Sequence, residues 1–323
     1  MKRFRFMTPA ILLVLLLING CGNRSERQGN INGELKGTIS ISGAFALYPM
    51  TVKWSEEFQK LHPGVRIDVS AGGAGKGMTD ALSQMIDLGM FSRGVSQEEI
   101  AKGAWFIAVT KDAVVPTINA SNPYLKEIKS RGLTKNNFIS MFINKTTRTW
   151  NQLVKGSGSE KINIYTRSDA CGAAEMWGKY LGRNQESLEG VGVFGDPGMA
   201  DAVKNDKFGI GYNNVIYAYD IESRKTYPGM EIIPIDINGN GQIDKGEDFY
   251  SSLDDIMNAI RKGDYPSPPA RDLYFVSKGK PQNIAVLEFI RWILTDGQKY
   301  VNEAGYVALS PDKIQSELMK LNK

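Results

Sequence analysis

Residues 38–86 set apolar strand, helix, strand, glycine turn and helix one after another, an order that few folds accommodate. Residues 38–42 are apolar, residues 48–61 place their apolar side chains at helical spacing, Val65, Ile67 and Val69 alternate, and residues 78–86 return to helix character. Such βαβ order predicts a parallel sheet with helices on its faces. The last junction, residues 70–77, reads SAGGAGKG, four glycines in eight residues. A strand that ends in bare glycines and feeds a helix presents backbone N–H groups at the positive end of a helix dipole, which suits an anion. A flexible surface turn is the plainer alternative. Nucleotide phosphate loops follow lysine with Ser or Thr, whereas Gly77 follows Lys76 here, and the dinucleotide spacing is also missing.

Two further junctions repeat the arrangement. Residues 43–49, GAFALYP, lie between the first strand and the first helix. Residues 162–165 form a short strand that opens onto TRSDACGAA, with Arg167, Asp169 and Gly172 in the turn and a helix from about Ala173. Ligands in such sheets sit beyond the carboxyl ends of the strands, where these turns fall.

The first twenty residues read as a targeting segment. Lys2, Arg3 and Arg5 precede the apolar run 11–18, and Ile18-Asn19-Gly20-Cys21 sets a small residue before a cysteine. That order predicts a lipoprotein signal peptide over 1–20, acylation of Cys21 and a polar tether over 21–36. The run falls well short of the roughly 20 apolar residues of a spanning helix. The expected location is the periplasmic or extracellular face of a membrane, held by the lipid anchor. Losing three basic residues and no acidic one takes the net charge from +4 to +1. No dense basic run remains to suggest nucleic acid. Cys171 is the only other cysteine, so no intramolecular disulfide is expected.

Beyond the first lobe, residues 105–117 are a second apolar stretch, and the Asn- and Pro-bearing loop 119–123 reads as a crossover into another domain. Residues 134–142 read as a capped helix, Trp150 as a packed side chain, and residues 283–294 as a core helix apolar on most faces. His62, in a turn after a helix, reads as structural.

Seven segments in this order, GAFALYP, SAGGAGKG, DLGMFSR, LTKNNFISMF with TRTWNQL, TRSDACGAA, GIGYNNVIYAY and FIRWILTDGQKYVNEAGYVAL, carry a family likeness. The chain resembles the phosphate-specific substrate-binding lipoproteins of bacterial ABC importers over nearly its whole mature length. The resemblance implies an α/β type II periplasmic-binding fold: two domains, two crossover strands near 107–115 and 273–276, and an oxyanion closed between them. On that reading domain I comprises 37–109 and 272–323, and domain II comprises 110–271. It also implies a monomeric receptor whose partners are a small inorganic oxyanion and an ABC permease.

The ligand-binding residues expected are Ala44, Phe45, Ala46, Gly73, Ala74, Gly75, Lys76, Arg167, Asp169, Cys171, Gly172 and Ala173 from the three loops, and Ser92 and Arg93 from the end of DLGMFSR. In the family, serine and threonine hydroxyls of these loops reach the phosphate; this chain has Ala46, Ala74, Cys171 and Ala173 at such places. Hydrogen bonds to a charged group contribute roughly 1.5–3 kcal/mol each, so the backbone and Arg167, which can clamp an oxyanion with two parallel bonds, carry more of the task. Asp169 either orients that arginine or accepts a proton from a monohydrogen oxyanion. For Arg167 the alternative is a structural ion pair with Asp169, for Arg93 an interdomain salt bridge, for Lys76 a surface role and for Cys171 a small buried filler.

Residues 236–247, DINGNGQIDKGE, match the calcium loop pattern without a gap. Asp236, Asn238, Asn240, Gln242, Asp244 and Glu247 are the expected ligands of a structural Ca2+, with Ile243 in the apolar eighth place. Residues 230–235 read as a strand rather than an entering helix, so the loop is expected to act alone.

Phosphate is the leading ligand, with sulfate, molybdate or tungstate as alternatives. A sensing or surface-interaction protein that keeps the binding fold is the other class. One histidine, a glycine-rich site without hydroxyl nucleophiles and no paired-carboxylate motif argue against an enzyme of phosphoryl or acyl groups.

Overall fold

The computed structural model describes residues 34–322; the signal segment, Cys21 and most of the tether lie outside the described residues. Eleven strands are described: β1 (Gly37–Gly43), β2 (Val65–Ala71), β3 (Leu88–Phe91), β4 (Ala104–Asn119), β5 (Leu133–Thr134), β6 (Asn163–Arg167), β7 (Val191–Val193), β8 (Gly209–Asn214), β9 (Met230–Ile232), β10 (Ile235–Asp236) and β11 (Ala270–Lys278). Nine of them form one sheet in the order β2-β1-β3-β11-β4-β8-β6-β7, with β9 also on β4, while β5 and β10 make a separate parallel pair.

The βαβ reading holds at both ends of the sheet: β2-β1-β3 and β8-β6-β7 are parallel. The centre departs from the all-parallel expectation. There β11 runs antiparallel to β3 and β4, and β4 runs antiparallel to β8 and β9, because β11 brings the chain back from the second lobe beside the strand that carried it there.

Buried side chains fall into two sets. One gathers Ile39, Trp54, Phe58, Met90, Phe275, Phe289 and Trp292; the other gathers Phe138, Phe142, Trp150, Trp177, Tyr212 and Tyr265. The change of set occurs inside strands: on β4 between Val109 and Ala113, on β11 between Ala270 and Leu273. The loop expected as a crossover at 119–123 is therefore not one, since Asn119 already pairs with Met230 within the second lobe. The sixteen residues of β4 make the crossing as continuous strand.

Local signals explain the helices that matter for the site. Tyr48–Leu61 begins with Pro49 in its first turn and buries Met50, Trp54 and Phe58, and the Trp54 indole donates to the Gly297 carbonyl. Lys135–Phe142 starts at a reciprocal capping box of Thr134 and Asn137. Ile284–Leu294 buries most of its faces, as its composition predicts. His62 packs at a tilt against Phe58, ring centroids 4.5 Å apart. No helix among the described residues is long and apolar enough to cross a membrane.

Candidate functional site

The three turn-to-helix junctions meet where the lobes face each other. Gly43 ends β1, and its carbonyl accepts N–H bonds from Gly72 (2.9 Å) and Gly73 (3.0 Å), tying the first loop to the second. Backbones approach so closely there that a Cβ on Gly43 would lie 2.3 Å from the Met90 carbonyl oxygen; only glycine fits. The helix Ala74–Leu82 then starts against the other lobe, with Gly75 N–H donating to the Ala170 carbonyl at 3.1 Å.

In the first loop Ala44 and Ala46 are buried, and the carbonyls of Phe45 and Ala46 accept from the hydroxyls of Tyr217 (3.3 Å) and Tyr306 (2.8 Å). The Phe45 ring reaches across the junction, 5.9 Å from the Arg167 guanidinium and edge-on to Phe194 at 6.1 Å. In the third loop the helix Gly172–Tyr180 is capped by Cys171, whose Sγ accepts from Ala174 N–H at 3.4 Å. Burial pushes that thiol up to about 12, so it is neutral at physiological pH. Gln185 fastens the loop by accepting from Cys171 N–H and donating to the Asp169 carbonyl. Ala173 is buried, and Gly172 lies so close to Ser92 that a Cβ there would sit 2.2 Å from the Ser92 carbonyl and hydroxyl oxygens.

Arg167 closes β6 and is 5 % exposed. Its Nε and one Nη2 proton bind Asp169 in a two-point clamp at 2.8 and 2.7 Å, and Nη1 meets Asp196 at 2.9 Å. Burial opposes its charge, but the carboxylates of Asp196 and Asp169 beside it hold the guanidinium firmly protonated. Burial likewise opposes the Asp169 charge, yet Arg167 and the Gly195 N–H bring its carboxyl below the usual range. Five guanidinium protons less these three leave one on each Nη that the two carboxylates do not take.

Two of the expected ligands have carboxylate partners within their own lobe. Arg93 pairs with Glu99 at 2.8 Å, donates to the Gly94 carbonyl and covers Phe91; its partner is in its own lobe, so the interdomain salt bridge is absent. The Lys76 ammonium is bound to Asp80, which also accepts from the Ser42 hydroxyl. That pair holds the Asp80 carboxyl low in spite of its desolvation.

Four functional-site neighbours escaped the sequence reading. Asp196 bridges Arg167 to the Asn214 amide, Asn214 accepts in turn from Arg271, and Arg271 reaches Asp112 at 3.3 Å. Asp112 and Arg271 are register partners on β4 and β11. The usable signal was a carboxylate inside the otherwise apolar run 105–117.

Residues 236–247 form a coil off β10. Asp236 and Glu247 are buried: Asp236 accepts from Gly239 and Gly241 N–H, and Glu247 from Ile237 and Asn238 N–H. Asp244 accepts from the side-chain amides of Asn238, Asn240 and Gln242. Ile243 N–H donates to the Ser130 carbonyl, fixing the loop to the second lobe. Among the described residues no three His, Cys, Asp or Glu side chains are gathered as a metal cluster, so a cation here would draw on amide and backbone oxygens as well.

Comparison with known proteins agrees with this architecture. The phosphate-binding protein PstS of Xylella fastidiosa is 26 % identical over 97 % of this chain and 96 % of its own length, and that of Staphylococcus haemolyticus is 24 % identical over 99 % and 96 %. In fold, the chain is similar to a candidate phosphate ABC transporter substrate-binding protein of Clostridium perfringens solved with bound phosphate. That likeness has a TM-score of 0.68 at 20 % identity, covering 85 % of this chain and all of the other. An ABC-type phosphate transport receptor from Vibrio cholerae gives 0.60 at 17 % identity, covering 84 % and 100 %. A model of the PBP superfamily domain matches residues 29–297, and the chain belongs to that superfamily.

Proposed function

We propose that this chain is an extracytoplasmic receptor that closes two lobes over phosphate and delivers it to an ABC permease, without chemical turnover. The observation that carries the reading is Arg167. It is buried, held in a fixed plane by Asp169 and Asp196 with Phe45 of the other lobe 5.9 Å away, and keeps one proton on each Nη that these carboxylates do not take. Relatives named as phosphate-binding proteins over almost the full chain supply the ligand. Phosphate is held by the first-turn N–H groups of the helices Ala74–Leu82 and Gly172–Tyr180 other than those of Gly75 and Ala174, which already have partners, together with Arg167, in place of hydroxyls. Closure follows from the ligand touching both lobes at once. Calorimetry of phosphate-stripped protein tests this: saturable heat with phosphate is expected, and no heat at millimolar phosphate overturns the reading.

The lipid on Cys21 is the proposed anchor, and labelled fatty acid should enter the wild-type protein but not Cys21→Ser. Calcium is the proposed ligand of residues 236–247, supported by the unbroken match of the pattern and by the buried carboxylates at its first and last positions.

A further inference from the structure

Behind Arg167 lies a buried set of charges that the phosphate reading leaves unexplained. It contains two guanidinium groups, Arg167 and Arg271, and three carboxyl groups, Asp112, Asp169 and Asp196, joined through Asn214. All three carboxylates ionised give the set one negative charge more than it has cations. An oxyanion entering beside Arg167 adds to that excess, at short range and out of water, where repulsion is large.

The three acids are not held alike. Asp169 has a two-point clamp and a backbone N–H, and Asp196 has Arg167 and Asn214. Asp112 has one side-chain partner, Arg271 at 3.3 Å, with the backbone of Ala113 and Val215 also favouring its charge; its Oδ1 is buried without a hydrogen-bond partner, as are Nε and Nη1 of Arg271. Both residues are at least 95 % buried and sit on the two crossover strands.

We propose that Asp112 is a positioning residue of the anion site, linked to the ligand through Arg271, Asn214, Asp196 and Arg167, so that oxyanion binding takes up a proton at Asp112. This rests on the proposed oxyanion at Arg167. Burial raises the Asp112 carboxyl to about 7, with Arg271 and the backbone dipoles of Ala113 and Val215 pulling down and Asp196 pushing up. The other titratable groups facing it are Tyr265 and Tyr306, whose phenols burial pushes well up, while its partner Arg271 also feels Asp196, Cys171 and Arg167. A proton on Asp112 neutralises the set before the anion arrives, and by linkage the anion raises the hold on that proton.

Phosphate titration calorimetry at pH 7 in buffers of different ionisation enthalpy reads the protons exchanged. Phosphate's own second proton titrates nearby, so the comparison is wild type against Asp112→Asn. The wild type should take up more protons than the variant, since burial raises the Asp112 carboxyl to about 7 and the anion adds to its hold on the proton. Above neutrality its affinity should fall up to tenfold per pH unit more steeply than the variant's. Heat with equal proton numbers in both proteins overturns this inference alone, whereas no heat with phosphate overturns the phosphate reading and this with it. Should Asp112→Asn fail to fold, carboxyl-labelled aspartate in the wild type reads the same group by NMR. A resonance titrating near neutrality and moving to higher pH with phosphate supports the proposal; none titrating near neutrality overturns it.

Discussion

Arg167, the proposed phosphate clamp, is also the cation shared by Asp169 and Asp196, which makes its removal costly twice over. Arg167→Ala should weaken phosphate binding by about 2 kcal/mol or more through the lost charge-assisted bonds. It should also destabilise the fold by about 3–5 kcal/mol, because Asp169 and Asp196 stay buried without their cation. Calorimetry and urea unfolding separate the two losses. Gly172→Ala removes no charge and tests closure instead: a Cβ 2.2 Å from Ser92 backbone and hydroxyl oxygens wedges the lobes apart. Small-angle scattering should show a larger radius of gyration with phosphate than the wild type has, together with weaker binding. The residues themselves reveal how far sequence reading reached. Arg167 and Asp169 stood out because a strand ended at them; Asp196 did not, since an acid in the first turn of a helix is a common dipole partner.

Elements were legible where their signals are local. The helix Tyr48–Leu61, the cap at Thr134 and the helix start at Gly172 follow from periodicity and capping chemistry within a few residues. Direction of the central strands was not legible: β11 lies beside β4 only because distant parts of the chain return together, and alternation of apolar residues is the same in either direction. The lysine and arginine of SAGGAGKG and DLGMFSR show a related limit, since Asp80 and Glu99, which claim them, are themselves unremarkable surface-type residues in sequence. At residues 236–247 a native-state ligand stabilises by mass action. Chelation should therefore lower the melting temperature by several degrees in protein shown by mass spectrometry to carry calcium, and Glu247→Gln should abolish most of that difference. An unchanged melting curve in such protein counts against the clip.

For the molecule as a whole, the charge set at the crossover strands fixes a pH dependence. Between its ordinary value of 3.8 and about 7, the Asp112 carboxyl keeps in the folded chain a proton that the unfolded chain has released. Its contribution is therefore full below about pH 4 and is lost as pH rises through about 7, by up to about 1.4 kcal/mol per pH unit. Asp112→Asn should flatten urea stability across that window relative to the wild type. Continuity of β4 has another consequence, for the order in which the protein comes into being. The core of the first lobe joins Ile39, Trp54 and Met90 to Phe275, Phe289 and Trp292, whereas that of the second lobe comes, Val307 apart, from the single stretch of residues 113–270 between them. During synthesis and export from the amino end, β1, β2 and β3 emerge long before β11 and the helix Ile284–Leu294 that complete their packing. The inserted lobe can assemble as soon as it has emerged, and the first lobe must wait for nearly the last residues of the chain.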